Sequence, residues 1–315
     1  MRVLVTGGAG FIGRTLVKML LAKGHSVVIL DNSPVAVSGF SGLLQSEDSS
    51  KYIKGDIRDT GLVSLAVRGC EAVVHLAAIV SVPFSVEQPL ETCDVNVRGT
   101  LNLLNQCARQ GVPKFIFASS CAVYGEAQYL PIDEKHPKSP LSPYAASKLA
   151  AEVYCSAFSR SDHLSITVLR FFNIFGPGQS VGSYSGVISR FAAAMRNSEP
   201  LVIHGDGTQS RDFVHIKDVT SSIVRCLVNE QKWPAEDCMI YNIGSGRSVS
   251  VLELVRIMQK ILGVEVQTEF APPRVGDVKH SQADIRKAID ELGYMPTVTI
   301  EEGLRELLVN RESTV

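Results

Sequence analysis

A short apolar run, Val3-Leu4-Val5, passes directly into Thr6-Gly7-Gly8-Ala9-Gly10-Phe11-Ile12-Gly13 and then into a stretch of helical period that reaches Lys23. Few folds accommodate three glycines at that spacing between a strand and a helix. At Gly7 the missing side chain permits a tight turn, at Gly10 it lets backbone approach a pyrophosphate, and at Gly13 it lets helix and strand pack closely. The helix start beyond them offers unpaired amides and a positive dipole end, which suits a phosphorylated ligand. The next apolar run, Val27-Val28-Ile29-Leu30, ends in Asp31-Asn32. A carboxylate there can hold both hydroxyls of an adenosine ribose and would repel a 2′-phosphate, so the two features together point to NAD rather than NADP. Asp56-Ile57, at the end of the third run, is placed to flank the adenine.

Short β-branched runs recur at Tyr52 to Ile57, Ala72 to Leu76, Lys114 to Ala118 and Ser165 to Phe171, separated by helical segments such as Leu90 to Gln110 and Tyr144 to Arg160. This alternation predicts an α/β fold with a doubly wound parallel sheet, the Rossmann arrangement. After Phe171 the chain turns rich in Gly, Pro and Ser, and its elements shorten. Phe213 to Leu227 again reads as strand plus helix of the first domain. The expected organisation is an NAD-binding Rossmann domain over 1–170 and 213–240, interleaved with a smaller α/β substrate domain over 171–212 and 241–315. Gly39 to Ser50 reads as a polar, mobile loop.

Charge excludes several function classes. The 315 residues carry 31 Lys+Arg against 32 Asp+Glu, a formal net charge of -1, so no basic footprint for nucleic acid or an anionic membrane exists. No apolar run is long enough to span a bilayer, and no signal peptide precedes Val3, so a soluble cytoplasmic protein is expected. Seven cysteines without a C-x-x-C pair, and histidines without ligand spacing, argue against a disulfide framework or a metal.

Tyr144 and Lys148 fall on one helix face, four residues apart, in Tyr144-Ala145-Ala146-Ser147-Lys148. Upstream, Phe115-Ile116-Phe117 runs into Ala118-Ser119-Ser120-Cys121, which brings hydroxyls to the C-terminal sheet edge where a cofactor crevice lies. Lowering a tyrosine pKa from about 10 to about 7 takes about 4 kcal/mol. One ammonium at ~5 Å supplies about 3 kcal/mol at an effective dielectric of ~20. Tyr144 is thus expected to act as base for a hydroxyl proton, with Ser120 and Lys148 beside it.

From Val3 to about Leu308 the chain resembles the extended short-chain dehydrogenase/reductases, and within them the nucleotide-sugar 4-epimerases. The matching segments are TGGAGFIG at 6–13, HLAA at 75–78, NVRGT around Asn96, SSCAVYG at 119–125, SPYAASK at 142–148, RFFNIFGPGQ at 170–179, GDGTQSRDFVHIKDV at 205–219 and RVGDVKHSQADI at 274–285. The resemblance implies that Ser120, Tyr144 and Lys148 form a catalytic triad. It implies a cofactor site of Gly7, Gly10, Phe11, Ile12, Gly13, Asp31, Asn32, Asp56, Ile57, Leu76, Ala77, Ala78 and Asn96 together with Tyr144 and Lys148. It also implies that Asn173, Arg211, Arg274 and Asp277 meet the UDP part of a substrate, with Val187 and Val202 near the uracil. Two arginines in a nearly neutral chain fit that reading, because guanidinium grips a diphosphate bidentately.

The implied activity is 4-epimerisation of a UDP-hexose through a transient 4-keto sugar. Related dehydratases carry Asp-Glu after the catalytic hydroxyl, where this chain has Cys121-Ala122, which argues for epimerisation. A UDP-sugar dehydratase, a uronate epimerase on the same scaffold and a catalytically silent NAD-binding regulator remain the alternatives. In similar epimerases the fourth residue after the motif's Asp borders the sugar C2 substituent, and an aromatic there restricts the site. Ser281 stands here instead, which implies room for UDP-N-acetylglucosamine and UDP-N-acetylgalactosamine as well as UDP-glucose and UDP-galactose. Relatives pair through a four-helix bundle, and Leu101, Leu104, Ala108, Ala150, Val153 and Ala157 form the apolar stripe expected to make a homodimer.

Overall fold

The computed structural model describes residues 1–33, 50–161, 164–179, 186–228, 238–273 and 277–309. The expected loop at 39–49 and Arg274 fall outside these. By contacts within the chain there are two compact units. The first comprises Met1–Val123, Ser142–Arg170 and Thr220–Tyr241, and the second Tyr124–Leu141, Phe171–Val219 and Asn242–Val315.

The first unit is built on a seven-stranded sheet in the order β10-β6-β5-β4-β1-β2-β3. Its strands are β1 (Arg2–Thr6), β2 (Ser26–Asp31), β3 (Ser50–Lys54), β4 (Ala72–His75), β5 (Lys114–Ser120), β6 (Ser165–Phe171) and β10 (Met239–Ile243). Val3, Leu4 and Val5 of β1 lie opposite Val27, Val28 and Ile29 of β2, and β1 pairs in parallel with β4 on its other side. Because helices cover both faces, these strands read as continuous apolar runs, and Val3, Leu4, Val5, Ile29 and Leu30 are fully buried. Chain order reverses at β1, with β2 and β3 to one side and β4 to β6 on the other. The C-terminal ends of β1 and β4 therefore meet at a topological switch point, the place where such sheets bind ligands.

The stretch from Leu90 to Gln110, which reads as one helix, is in three pieces: Pro89–Cys93, a π-helical turn over Asp94–Arg98, and Gly99–Gln110. Wider i to i+5 winding of this kind inserts one residue into the helix and changes the direction in which the following side chains point.

The second unit holds β7 (Asn173–Phe175), β9 (Ser210–His215) and β11 (Ser248–Ser250) in a three-stranded sheet, and β8 (Leu201–His204) paired with β12 (Thr268–Ala271). Two sequence expectations are corrected here. Phe213 to His215 belongs to β9, paired in parallel with β7, and the helix Ile216–Val228 enters the first unit at Thr220. The segment Tyr124–Leu141 groups with the second unit, because Tyr124 donates to Asn242 Oδ1 at 2.6 Å and Ile132 bridges to Ala283. Both bonds join residues more than a hundred positions apart, so no local pattern announces them.

Candidate active site

The loop after β1 has the shape of an anion cradle. Gly7 has φ +68°, and a Cβ there would come within 2.7 Å of Ala77 N. A Cβ on Gly13 would stand 2.3 Å from Gly7 O and 2.5 Å from Gly8 Cα, so helix and turn can meet only through glycine. Among the described residues no side chain caps helix Phe11–Ala22 at Gly10, and its first turn holds no acidic residue. Amides at such a helix start suit an anionic partner. This donor set fits a dinucleotide pyrophosphate.

Asp31, 9 % exposed at the end of β2, is held across the loop mouth. Its Oδ2 accepts from Ala9 N at 2.9 Å and its Oδ1 from Ser33 N at 2.8 Å. Asn32 beside it is exposed. Asp56 turns towards Arg58, which donates to it from its backbone N, Nε and NH2, and this keeps the carboxyl below the usual range. Ile57 is buried in the core. Leu76, Ala77 and Ala78 follow β4, and Ala77 N donates to Thr6 Oγ1 at 3.3 Å.

His75 packs as a structural histidine. Thr100 spends its hydroxyl proton on Asn96 O, so it accepts from His75 Nε2 at 2.9 Å, while Thr6 Oγ1 stands 2.7 Å from Nδ1 as donor. Burial pushes this imidazole down to about 3, with the Lys148 charge acting in the same direction.

Asn96 lies on the π-helical turn, 2 % exposed. Its Oδ1 accepts from Ile79 N, and its Nδ2 donates to Ile79 O and to Ser147 Oγ, which in turn donates to Tyr144 O. Expected on the cofactor, this side chain is spent inside the protein and braces the turn that carries Tyr144.

Ser120 ends β5, and Tyr144 and Lys148 lie on the helix Pro143–Ser161 that packs against it. Burial raises the Tyr144 phenol to about 12, while the neighbouring Ser120 hydroxyl pulls it down and Cys121 adds to the rise. The Lys148 ammonium donates to Ala118 O at 2.9 Å and sits 4.9 Å from the centre of the Phe117 ring. Burial lowers Lys148 to about 8, with Cys155 and Glu152 opposing the shift. The expected lowering of Tyr144 by Lys148 is therefore not seen, because the ammonium is directed at a backbone carbonyl.

In the second unit Arg211 is 9 % exposed and donates from NH1 to Ser210 O at 2.9 Å and to Lys279 O at 3.2 Å. Its NH2 forms an ion pair with Asp277. Ser281 joins the same cluster through its N–H on Ser210 O, while Glu126 accepts from Lys279 N at 3.0 Å. Ser281 is 4 % exposed, and its Oγ has no partner among the described residues. Asn173 opens β7, paired with Phe213 beside Arg211's strand. Val187 opens the helix Val187–Arg196, and Val202, 45 % exposed, stands on β8.

A feature absent from the sequence reading is the buried pair Arg170–Glu152, 2.7 Å apart with side chains 1 % and 4 % exposed. A charged residue inside the apolar run Ile166 to Phe171 was its signal, since arginine is almost never fully buried without a partner. Among the described residues no cluster of His, Cys, Asp or Glu could hold a metal, and no helix is long and apolar enough to cross a membrane.

The family model described as the NAD dependent epimerase/dehydratase family matches residues 3–244. The chain is 37% identical over 306 residues to a UDP-glucose 4-epimerase of Mycolicibacterium smegmatis, covering 96% of each chain. Among solved structures, it is similar to a UDP-glucose 4-epimerase of Thermotoga maritima with UDP-glucose, at a TM-score of 0.89, 35% identity and 98% coverage of both chains. It is also similar to a UDP-N-acetylglucosamine 4-epimerase of Methanobrevibacter ruminantium in complex with UDP-N-acetylmuramic acid, at a TM-score of 0.90 and 34% identity, covering 98% of this chain and 97% of that one.

Proposed function

The chain belongs to the NAD dependent epimerase/dehydratase family, and from that premise we propose that it is a UDP-hexose 4-epimerase. Its substrates are UDP-N-acetylglucosamine and UDP-N-acetylgalactosamine, and it accepts the unacetylated pair as well. The observation that carries this reading is the Ser120 hydroxyl beside the Tyr144 phenol, which it pulls down, with Lys148 one turn along the same helix.

The amides around Gly7, Gly10, Phe11, Ile12 and Gly13 hold the cofactor pyrophosphate, and Asp31 with Asn32 holds the adenosine end, where Asp56 and Ile57 flank the base. When bound, NAD would supply reversible hydride transfer at C4 of the sugar, accepting the hydride and later giving it back, and a positive charge beside the phenol. A phenol at about 12 is protonated at neutral pH even with the Ser120 hydroxyl pulling it down, so Tyr144 becomes a base only once added positive charge lowers it further. Tyr144 then takes the proton of the sugar 4-hydroxyl, and Ser120 holds that oxygen by a hydrogen bond. Lys148, which donates to Ala118 O here, would hold the nicotinamide ribose. Arg211 and Arg274 grip the diphosphate, Asn173 and Asp277 hold the rest of the UDP group, and Val187 and Val202 flank the uracil. The 4-keto sugar turns about its link to the diphosphate, and Tyr144 returns the proton to the oxygen on the other face.

Cys121-Ala122 supports epimerisation over dehydration, since no carboxylate follows Ser120 to take a second proton. Ser281 supports the acetylated pair: the residue is small and its hydroxyl has no partner among the described residues. A roomy pocket rejects a smaller group only weakly, hence the breadth. Two copies are proposed to pair through the helices Gly99–Gln110 and Pro143–Ser161. Of the expected stripe, Val153 is 63 % exposed, whereas Leu104 is buried in its own core and takes no part.

The deciding experiment is turnover of UDP-N-acetylglucosamine, UDP-glucose and UDP-glucuronate side by side, followed by separation of the C4 epimers. Epimerisation of the first at the highest kcat/KM is expected. Preference for the uronate moves the assignment to a uronate epimerase, and loss of water from any of them moves it to a dehydratase. No reaction with any substrate, despite NAD binding, leaves a silent NAD-binding protein.

A further inference from the structure

Three consecutive residues at the end of β5 meet the same helix. Ala118 O accepts from Lys148 Nζ, Ser119 Oγ donates to Glu152 Oε1, and the Ser120 hydroxyl neighbours the Tyr144 phenol. On the helix the partners are spaced by four, Tyr144, Lys148 and Glu152, and so form one face. Glu152 does not stop at Ser119. Arg170, on β6 next to β5, donates to it from Nε at 3.0 Å and from NH2 at 2.7 Å.

A buried carboxylate with a bidentate guanidinium and a serine hydroxyl is directional in a way that apolar packing is not, and it fixes the helix against the strand in both rotation and translation. The geometry points to Ser119, Glu152 and Arg170 as positioning residues that set the register of Ser120 against Tyr144 and Lys148 for the proton transfer. The inference rests on the epimerase reading of that triad.

It has an electrostatic side as well. Lys148 faces Glu152 and Cys155 on its own helix, His75 on β4 and the Phe117 ring on β5, while Glu152 faces Arg170 on β6, with Cys238 near Cys155. Of these groups Glu152 and Cys155 oppose the burial that lowers Lys148, so loss of the Glu152 carboxyl favours the neutral amine of Lys148.

The test uses two variants of the full chain. Glu152→Leu combined with Arg170→Met replaces the pair by apolar side chains, a change that buried ion pairs often tolerate without loss of stability. Ser119→Ala removes one arm alone. Measured are kcat and KM with the best UDP-sugar, the thermal midpoint, and the titration of Lys148 by NMR of 13Cε-labelled lysine, assigned through Lys148→Met. The paired variant is expected to melt near the wild type, to lose roughly tenfold or more in kcat with KM within about twofold, and to titrate Lys148 at lower pH. Ser119→Ala is expected to lose about threefold in kcat. Wild-type kcat and an unmoved Lys148 midpoint in the paired variant would overturn the proposal. If that variant fails to fold, Ser119→Ala decides, and wild-type kcat there overturns it. If the wild type turns over no UDP-sugar, the epimerase reading fails while the Lys148 midpoint still judges the network.

Discussion

The hydroxyl of Ser120 stands beside the phenol of Tyr144, 24 positions further along the chain, and pulls it down against a burial that leaves the phenol at about 12. Tyr144→Phe keeps the ring and removes the titrating group. Turnover is expected to fall by about a hundredfold or more, the scale of general acid–base loss, with thermal midpoint and NAD affinity close to wild type. Turnover near that of the wild type would remove Tyr144 from the chemistry.

Ser281 is small, and its hydroxyl has no partner among the described residues. Ser281→Tyr should cut kcat/KM for UDP-N-acetylglucosamine by roughly tenfold or more while changing UDP-glucose little, because a lost acetamido pocket penalises the larger sugar alone. Equal losses on the two sugars would show that another residue sets the pocket.

Asp31 presents its carboxylate beside the loop through bonds from Ala9 N and Ser33 N. Calorimetric titration should find NADP bound about tenfold or more weaker than NAD, from repulsion of a 2′-phosphate and the loss of a charge-assisted hydrogen bond. Asp31→Ser should narrow the ratio, mainly by weakening NAD. An unchanged ratio would place the discrimination elsewhere.

His75 is buried neutral, its imidazole pushed down to about 3, whereas an unfolded histidine titrates near 6.5. Between those values the unfolded chain binds the extra proton, so stability falls as pH is lowered through the window, by up to about 1.4 kcal/mol per pH unit. Above pH 6.5 the group contributes no slope. Denaturant unfolding of His75→Gln between pH 7 and 5 should show a shallower decline than wild type; parallel curves would contradict the assignment.

Leu90 is 85 % exposed, Val86 62 % and Val153 63 %, on helices that pack against one another. Sedimentation at micromolar concentration should give a dimer, and Leu90→Glu with Val153→Glu should yield a species near the 34.1 kDa chain mass. A wild-type monomer at that concentration would dismiss the pairing.

The parts legible in the sequence are those fixed by local pattern. The Gly7 to Gly13 loop needs glycine for steric reasons that hold within a few residues, and β1, β2 and β5 announce themselves as apolar runs. Tyr144 and Lys148 follow from helical spacing. The remainder depends on partners distant in the chain: Arg170 finds Glu152 across two elements, Asn96 faces Ser147 because the helix widens at Asp94–Arg98, and Tyr124–Leu141 is drawn away by Asn242 and Ala283. The direction of the Lys148 ammonium, towards Ala118 O, is set by the end of β5 and not by the Tyr-x-x-x-Lys spacing.

The interleaved path of the chain, which passes between the units after residues 123, 141, 170, 219 and 241, has a consequence for its biosynthesis. A ribosome delivers the N-terminal part first, and domains ordinarily fold as they emerge. Here β10 lies at the sheet edge next to β6 but is made only after the intervening stretch of the second unit. Until Met239–Ile243 leaves the exit tunnel, β6 stands as an open edge with unpaired backbone groups, the kind of surface on which a holding chaperone or a neighbouring nascent chain acts.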